Sequence, residues 1–187
     1  SMSLFSGQAA DKVIFDDRNF SKDGWSDFRD ISNGAGWEVR SRELGGLVQG
    51  LVQEVTVEED GGVYLSSESG SFAAIYRMDG MIQAIRMRDG EQSPLGQAEV
   101  FGKAVLRIGF DGAFFIYEYR TGDKWTRLGK SDIVGLVSYT GGISSNNRAA
   151  DMSNYRVVKH ESLQGVSFGY TNTPKSLGTP WVVHDPF

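Results

Sequence analysis

Two Asp-Gly dipeptides, each lying between β-rich runs, constrain the fold of this chain more than any other feature. The first, Asp79-Gly80, is centred in residues 71–88, and the second, Asp111-Gly112, is centred in residues 104–120. A type I′ turn needs positive φ at both central residues, and Asp-Gly is one of the few pairs that accept this conformation. Each segment therefore predicts a β-hairpin, and together they predict an antiparallel all-β protein.

Length and composition fit a single domain of this class. The chain has 187 residues, 40% of them hydrophobic, with 24 glycines and 4 prolines. This hydrophobic fraction supports a full core, and abundant glycine fits many tight turns. Alternating runs recur along the chain, and no segment shows the 3.6-residue period of an amphipathic helix. We therefore expect about ten to twelve short strands in a sandwich or barrel.

Several classes of function are disfavoured by what the chain lacks. Its net charge is −5 and it has no Lys/Arg run, so nucleic acid is not an expected partner. It has no cysteine, which excludes a disulfide scaffold, a zinc–thiolate site and a Cys nucleophile. No stretch approaches the ~20 apolar residues of a membrane-spanning helix, so we expect no membrane insertion. The oligomeric state stays open.

The ends of the chain are interpreted separately from its middle. Residues 1–12 are expected to be a cloning remnant, Ser1-Met2-Ser3-Leu4, followed by an N-terminal arm. Residues 13–187 are expected to form one sandwich. Within it, residues 162–187 are irregular but rich in aromatic side chains, and we interpret them as a strap packed across the sheets. A signal peptide removed before residue 1 would fit an extracytoplasmic protein.

The turn register divides the first hairpin into two faces. A two-residue turn pairs Met78 with Met81, and alternate residues along both strands then share a face. One of the two faces is mostly apolar, and we expect it to pack on the core. The other face is expected to be exposed, and it carries Arg77, Arg86 and Arg88.

The second hairpin divides in the same way. Around Asp111-Gly112, Leu106 and Tyr117 fall on an apolar face, whereas Arg107 and Glu118 fall on the opposite one. Residues 89–96, which separate the two hairpins, are expected to form a loop.

Four passages resemble the concanavalin A-like lectin/glucanase superfamily, the jelly roll that laminin-G-type modules also have. They are Ile-Phe-Asp-Asp-Arg-Asn-Phe-Ser with Gly-Trp in 14–25, Gly-Trp-Glu-Val in 36–39, and the passages 106–125 and 134–157. The resemblance covers residues 13–158. It implies a concanavalin A-like jelly-roll β-sandwich of two stacked antiparallel sheets, one of them concave, and a role in glycan recognition or processing.

The arginine face supplies the candidate ligand-binding residues. Arginine binds planar carboxylates through two parallel hydrogen bonds, so a strip of Arg77, Arg86 and Arg88 would suit a uronate or a sulfated sugar. Trp25, in a polar glycine-rich loop, and Trp125 are candidates for stacking on sugar rings. The alternative is that these arginines only cover the outer sheet and pair with acidic neighbours, as polar faces of one-sided sheets do.

Acidic residues near both ends of the sandwich pattern are candidates for a calcium site. Asp16 and Asp17 follow the first strand, and Asp151 precedes the last one. Their carboxylates are the hard oxygen ligands that calcium takes, and strands at the two ends of a sandwich chain often lie side by side. The alternative is that these residues cap turns.

Catalytic groups are sparse. Laminarinase-like members of the superfamily carry Glu-x-Asp-x-x-Glu on one strand, whereas this chain has Glu54-Val-Thr-Val-Glu58-Glu59 and lacks the aspartate. Its two histidines, His160 and His184, lie outside the strand pattern, so a histidine base has little support. These departures argue against a retaining glycosidase, which needs two carboxyls ~5 Å apart.

We therefore expect a secreted, extracytoplasmic bacterial carbohydrate-binding module whose partner is a poly- or oligosaccharide, with acidic polysaccharide as the candidate ligand. One alternative is a saccharide-acting enzyme of the same fold, a glycoside hydrolase or a polysaccharide lyase. A second alternative is a structural or adhesive domain.

Overall fold

The structure is a computed structural model that describes residues 11–30, 37–67, 71–132, 139–145 and 151–160. These ranges contain thirteen strands and no helix. In chain order the strands are β1 (Asp11–Asp17), β2 (Arg29–Asp30), β3 (Glu38–Gly45), β4 (Leu51–Val57), β5 (Gly61–Ser66), β6 (Phe72–Met78), β7 (Met81–Arg88), β8 (Glu91–Glu99), β9 (Ala104–Phe110), β10 (Phe115–Arg120), β11 (Thr126–Ser131), β12 (Tyr139–Ser145) and β13 (Met152–His160).

The strands form two antiparallel sheets. The six-stranded sheet has the order β1-β13-β4-β9-β10-β11, and the seven-stranded sheet has the order β2-β3-β12-β5-β6-β7-β8. Every observed strand pair is antiparallel, which confirms the expected all-β sandwich. Within the described ranges, nothing forms a helix of the length and apolarity that crossing a membrane requires.

The core lies between the two sheets. Val55 and Val57 of β4 belong to the same buried cluster as Val63 of β5 and Ile75 of β6, and none of the four is exposed to solvent. Burying one such aliphatic side chain is worth about 1.5–3 kcal/mol, so this cluster contributes substantially to the stability of the fold. Alternation along each strand thus fixes which side chains are free to face outward.

The first hairpin has the predicted register but the opposite orientation. Met78 pairs with Met81, and φ is 51° at Asp79 and 80° at Gly80, as a type I′ turn requires. However, the face that carries Arg77 is the one that packs between the sheets, so the predicted exposed arginine face is wrong.

The reason is that both faces of this hairpin are apolar. Ile75 and Ala84, on the arginine face, lie in the inter-sheet core. On the opposite face, Tyr76 and Ile85 lie in a second buried cluster with Trp37. Apolar content therefore could not decide which face points inward.

The second hairpin has the predicted faces and a longer turn. Leu106 and Tyr117 are buried in the inter-sheet core, whereas Arg107 and Glu118 pair across the outer face. The closing pair is Phe110 with Phe115. The turn is not type I′, since Gly112 has a positive φ and Asp111 does not; Asp111 Oδ1 instead accepts hydrogen bonds from two backbone amides within the turn, at 2.9 and 2.8 Å.

The expected loop 89–96 is instead a second type I′ turn followed by a strand. Asp89 and Gly90 have φ of 51° and 82°, and β8 pairs with β7 from Arg88↔Glu91 onward. Strand β8 contains Pro94 and is largely polar, features tolerated because it is an edge strand. The proposed strap, residues 162–187, lies outside the described residues, as do residues 1–10.

Candidate functional site

A pocket of about 310 Å³ opens where four connections meet. These are the loop between β4 and β5, the type I′ turn between β6 and β7, the loop between β8 and β9, and the residue before β13. Its lining residues are Glu58, Glu59, Asp60, Arg77, Asp79, Gly80, Val100, Phe101, Gly102 and Asp151. Five carboxylates and one guanidinium line it, a formal charge of −4 at neutral pH.

Arg77 forms the floor of this pocket. Its side chain is 2% exposed, and its Nε and Nη1 donate hydrogen bonds to the carbonyls of Glu59, at 2.6 Å, and Val100, at 3.0 Å. Burial lowers the pKa of Arg77, while the carboxylates of Asp60, Glu59 and Glu58 raise it, and the guanidinium stays charged at physiological pH. One side chain thus ties two loops together.

The third nitrogen of Arg77 has no such partner. Nη2 is buried and makes no hydrogen bond in the structure. A buried donor without an acceptor costs free energy, roughly 1–3 kcal/mol and more for a charged group. Arg77 lines the pocket, but Nη2 itself is shielded from solvent, so an acceptor on a bound molecule reaches it only if the atoms that cover it shift.

The acidic side of the pocket is more open. Glu58, Glu59 and Asp79 are exposed, and their carboxylates have no hydrogen-bonding partner among the described residues. Asp60 is half-buried, and its Oδ1 accepts a hydrogen bond from the amide of Asp79 at 3.0 Å. The rim therefore presents several carboxylate oxygens that can accept hydrogen bonds from a ligand.

Phe101 stands on the rim as an aromatic surface. It is 71% exposed, an unusual position for a phenylalanine. Its ring lies against Gly80, where a Cβ would collide with it, and the neighbouring amide of Val100 donates to the Gly80 carbonyl at 2.9 Å. Gly80 thus has two roles: it adopts the positive φ that the turn needs, and its lack of a Cβ leaves room for the Phe101 ring.

The predicted arginine strip is divided by the structure. Arg77 lies in the pocket, while Arg86 is bonded through Nη1 to Asp132 Oδ2 at 3.3 Å and has a side chain only 21% exposed. Arg88 is half-buried near the other end of the hairpin. The three do not form one exposed strip, because their shared face packs between the sheets.

Both predicted stacking tryptophans are half-buried. Trp25 packs edge-on against Phe20 and Tyr155, with ring centroids 5.8 and 5.0 Å away, and its Nε1 donates to Asp17 Oδ2 at 2.9 Å. Trp125 has the guanidinium of Arg107 stacked 3.6 Å from its ring centre. A ligand-stacking role for either ring stays a prediction.

The predicted calcium ligands fall in different settings. Asp17 is 3% exposed, and its carboxylate accepts hydrogen bonds from the amides of Ser21 and Lys22 and from Trp25 Nε1. Burial opposes ionisation, but these hydrogen bonds outweigh it and hold the pKa of Asp17 below its usual value. Asp16 pairs with Lys22 at 3.2 Å, whereas Asp151 lines the pocket.

No three Asp, Glu or His side chains of the described residues are close enough together to hold a metal ion. Calcium binding by Asp16, Asp17 and Asp151 therefore stays a prediction.

A row of charged residues crosses the outer face of the six-stranded sheet, and the sequence pattern only partly indicated it. Its members alternate in sign and face one another on adjacent strands: Arg156, Glu54, Arg107, Glu118 and Arg127. Arg107 Nη2 lies 2.6 Å from Glu118 Oε1, and both side chains are buried. The second hairpin's register places Arg107 beside Glu118, but strands distant in sequence supply the others.

No protein-family model matches the chain, and no curated protein matches it. A mutant of the GH43 protein BlXynB from Bacillus licheniformis is 14% identical, with a TM-score of 0.47, and the match covers 76% of this chain and 39% of that one. A GH43B protein of a Bacteroides ovatus xyloglucan locus is 12% identical, with a TM-score of 0.49 and coverages of 79% and 38%.

Carbohydrate-binding module CBM66 from Bacillus subtilis is 12% identical, with a TM-score of 0.46 and coverages of 74% and 96%. The chain spans about two fifths of the length of the two GH43 proteins. All three TM-scores lie below 0.5, so the fold, ligand and activity are argued from this chain's own residues.

Proposed function

We propose that this chain is a saccharide-binding module and that the pocket around Arg77 holds the sugar. The observation that carries the proposal is a pocket lined by Arg77, whose buried Nη2 makes no hydrogen bond, and by Phe101, whose ring is exposed. A sugar has hydroxyl and ring oxygens that accept from a guanidinium, hydroxyl hydrogens that donate to carboxylates, and an apolar C–H face that packs on an aromatic ring.

The dimensions of the pocket set the scale of the ligand. A volume of about 310 Å³ lies at the lower end of the range of small-molecule sites. We infer that it takes about one sugar unit, so that the rest of an oligosaccharide extends past Phe101 into solvent.

The charge of the pocket changes the preferred ligand. An acidic polysaccharide would place its own carboxylates beside Glu58, Glu59 and Asp79, and like charges in close contact disfavour binding. The arginine strip that suggested an acidic ligand is not assembled. We therefore propose a ligand that is not anionic.

Binding is favoured over hydrolysis by where the two candidate carboxylates lie. Glu54 is held on the outer face of β4, with Oε2 3.3 Å from Arg156 Nη1, whereas Glu58 lies beyond the end of β4 and lines the pocket. Glu54 and Glu58, the pair that the sequence analysis already disfavoured as a glycosidase pair, thus lie in two different settings. A secreted, extracytoplasmic setting is part of this proposal, because polysaccharides are found there.

Calorimetric titration with neutral oligosaccharides of three to six units tests the proposal. The unsubstituted chain should bind at least one series, and Phe101→Ala should weaken that binding about tenfold without unfolding the protein, because the ring is exposed. Val48→Ala is the matched control, since Val48 is also exposed, at 46%, and does not line the pocket. Equal binding by both variants would contradict the proposal. Hydrolysis of the oligosaccharide, seen as release of reducing sugar without measurable binding, would also contradict it.

A further inference from the structure

We infer that the pocket selects sugar units that carry a free, protonated amino group. This inference rests on the proposed function and goes beyond it by naming the class of sugar. It follows from the arrangement of charge in the pocket. The one guanidinium and the several carboxylates offer a ligand different interactions.

The single cation of the pocket lining already holds two loops together. Two of the five N–H groups of Arg77 are bonded to the carbonyls of Glu59 and Val100, and both N–H groups of Nη2 lack an acceptor. A hydroxyl or ring oxygen of the sugar is sufficient to satisfy that donor. The guanidinium therefore anchors a neutral part of the ligand.

The carboxylates of the pocket, in contrast, are mostly exposed and accessible to a ligand. Glu58, Glu59 and Asp79 are exposed and have no cationic side chain bonded to them among the described residues, and Asp151 adds a fourth, half-buried carboxylate. These four act on the same 310 Å³ of space, where their excess negative charge favours a cation over a neutral group. An ammonium group is also a hydrogen-bond donor, and one or two carboxylates of the rim can accept from it.

An organic cation fits this arrangement better than a metal ion. No three carboxylate or imidazole groups in the described ranges approach one another closely enough to coordinate one metal. A sugar ring spans several ångströms between its substituents, so one end can meet Arg77 while an amino group meets the rim. The ring face then lies within reach of Phe101.

Three trisaccharides of equal length separate the contributions. They are the glucosamine trimer, its N-acetylated form, whose nitrogen is neutral, and a glucose trimer. We expect the glucosamine trimer to bind about tenfold more tightly than the other two at low salt, a difference of ~1.4 kcal/mol. This advantage should shrink at ~0.5 M salt, because charges near the surface are screened over a few ångströms there.

Two variants at equivalent turn positions locate the effect. Asp79→Asn and Asp89→Asn both replace the first residue of a type I′ turn, each with a φ of 51°, and asparagine accepts that conformation. Asp79 lines the pocket and Asp89 does not. We expect Asp79→Asn to weaken the glucosamine trimer about fivefold and leave the N-acetylated trimer unchanged, whereas Asp89→Asn should change neither.

The outcomes distinguish this inference from the proposed function. If the three trimers bind equally, the saccharide site stands and the amine preference is overturned. If the two variants weaken the glucosamine trimer equally, the attraction is a property of the whole acidic surface, and the preference is again overturned. If no trimer binds, the proposed function itself fails.

Discussion

Gly80 and Gly90 offer a matched pair of substitutions that isolates the placement of Phe101. Both are second residues of Asp-Gly type I′ turns, with φ of 80° and 82°. Alanine in this left-handed region costs about 1–2 kcal/mol. For a protein of this size, each variant should therefore lower Tm by about 2–8 °C.

The two glycines differ in what a Cβ would meet. At Gly80 it would collide with the ring of Phe101, whereas at Gly90 nothing lies within 4 Å. Because Phe101 is 71% exposed, its ring can swing away from a Cβ at little cost in folding free energy. Gly80→Ala should thus match Gly90→Ala in stability, but it should displace the Phe101 ring from its position at the rim of the pocket.

Thermal unfolding and titration with a neutral oligosaccharide check this reasoning together. We expect similar Tm values for the two variants, and binding about tenfold weaker in Gly80→Ala only. If Gly80→Ala binds as well as Gly90→Ala, or if both lose affinity equally, the Phe101 ring does not contribute to binding in the way proposed.

Three further predictions concern stability. Asp17→Asn should lower the free energy of unfolding, measured with urea, by about 1–2 kcal/mol at pH 7, and should flatten the acid limb of the stability curve. The reason is that the lowered pKa of Asp17 stabilises the fold at pH values above the unfolded-state pKa, near 4. That contribution is lost as the pH falls through the folded-state pKa. Burial lowers the pKa of His160, so the neutral imidazole favours the fold. His160→Gln should therefore reduce the loss of stability as the pH falls below about 6.5, and an unchanged slope of stability against pH would contradict this. Gly62→Ala should cost about 3 kcal/mol because its Cβ would meet the backbone of β6, whereas Gly46→Ala, with open space around it, should change stability by less than about 0.5 kcal/mol in the same assay.

The fold was largely predictable because its signals are local. The Asp79-Gly80 register follows from two residues, and alternation along β4 separates buried Val55 from outward-facing Glu54 without knowledge of any partner strand. Strand β8 was missed because Pro94 and polar side chains hide an edge strand, and edge strands need less apolar content than central ones.

The site was less predictable because it is made by loops that meet only after folding. Arg77 and Asp151 were both singled out from the sequence, but for unrelated roles, and 74 positions separate them in the chain. The orientation of Arg77 depends on which face of the first hairpin packs between the sheets. Both faces are apolar, so the sequence could not predict which one does. The exposure of Phe101 carries no sequence signal, since phenylalanine is usually buried.

Amide chemical-shift mapping of the ¹⁵N-labelled full chain during titration with a neutral oligosaccharide tests the saccharide pocket most directly. We expect saturable shifts of the Gly80, Phe101 and Gly102 amides with one common Kd, because all three residues line the pocket. The indole signals of Trp25, Trp37 and Trp125, none of which lines the pocket, act as internal references. Shifts confined to the indole of Trp125 would instead place the ligand on the outer face of the six-stranded sheet and contradict the account.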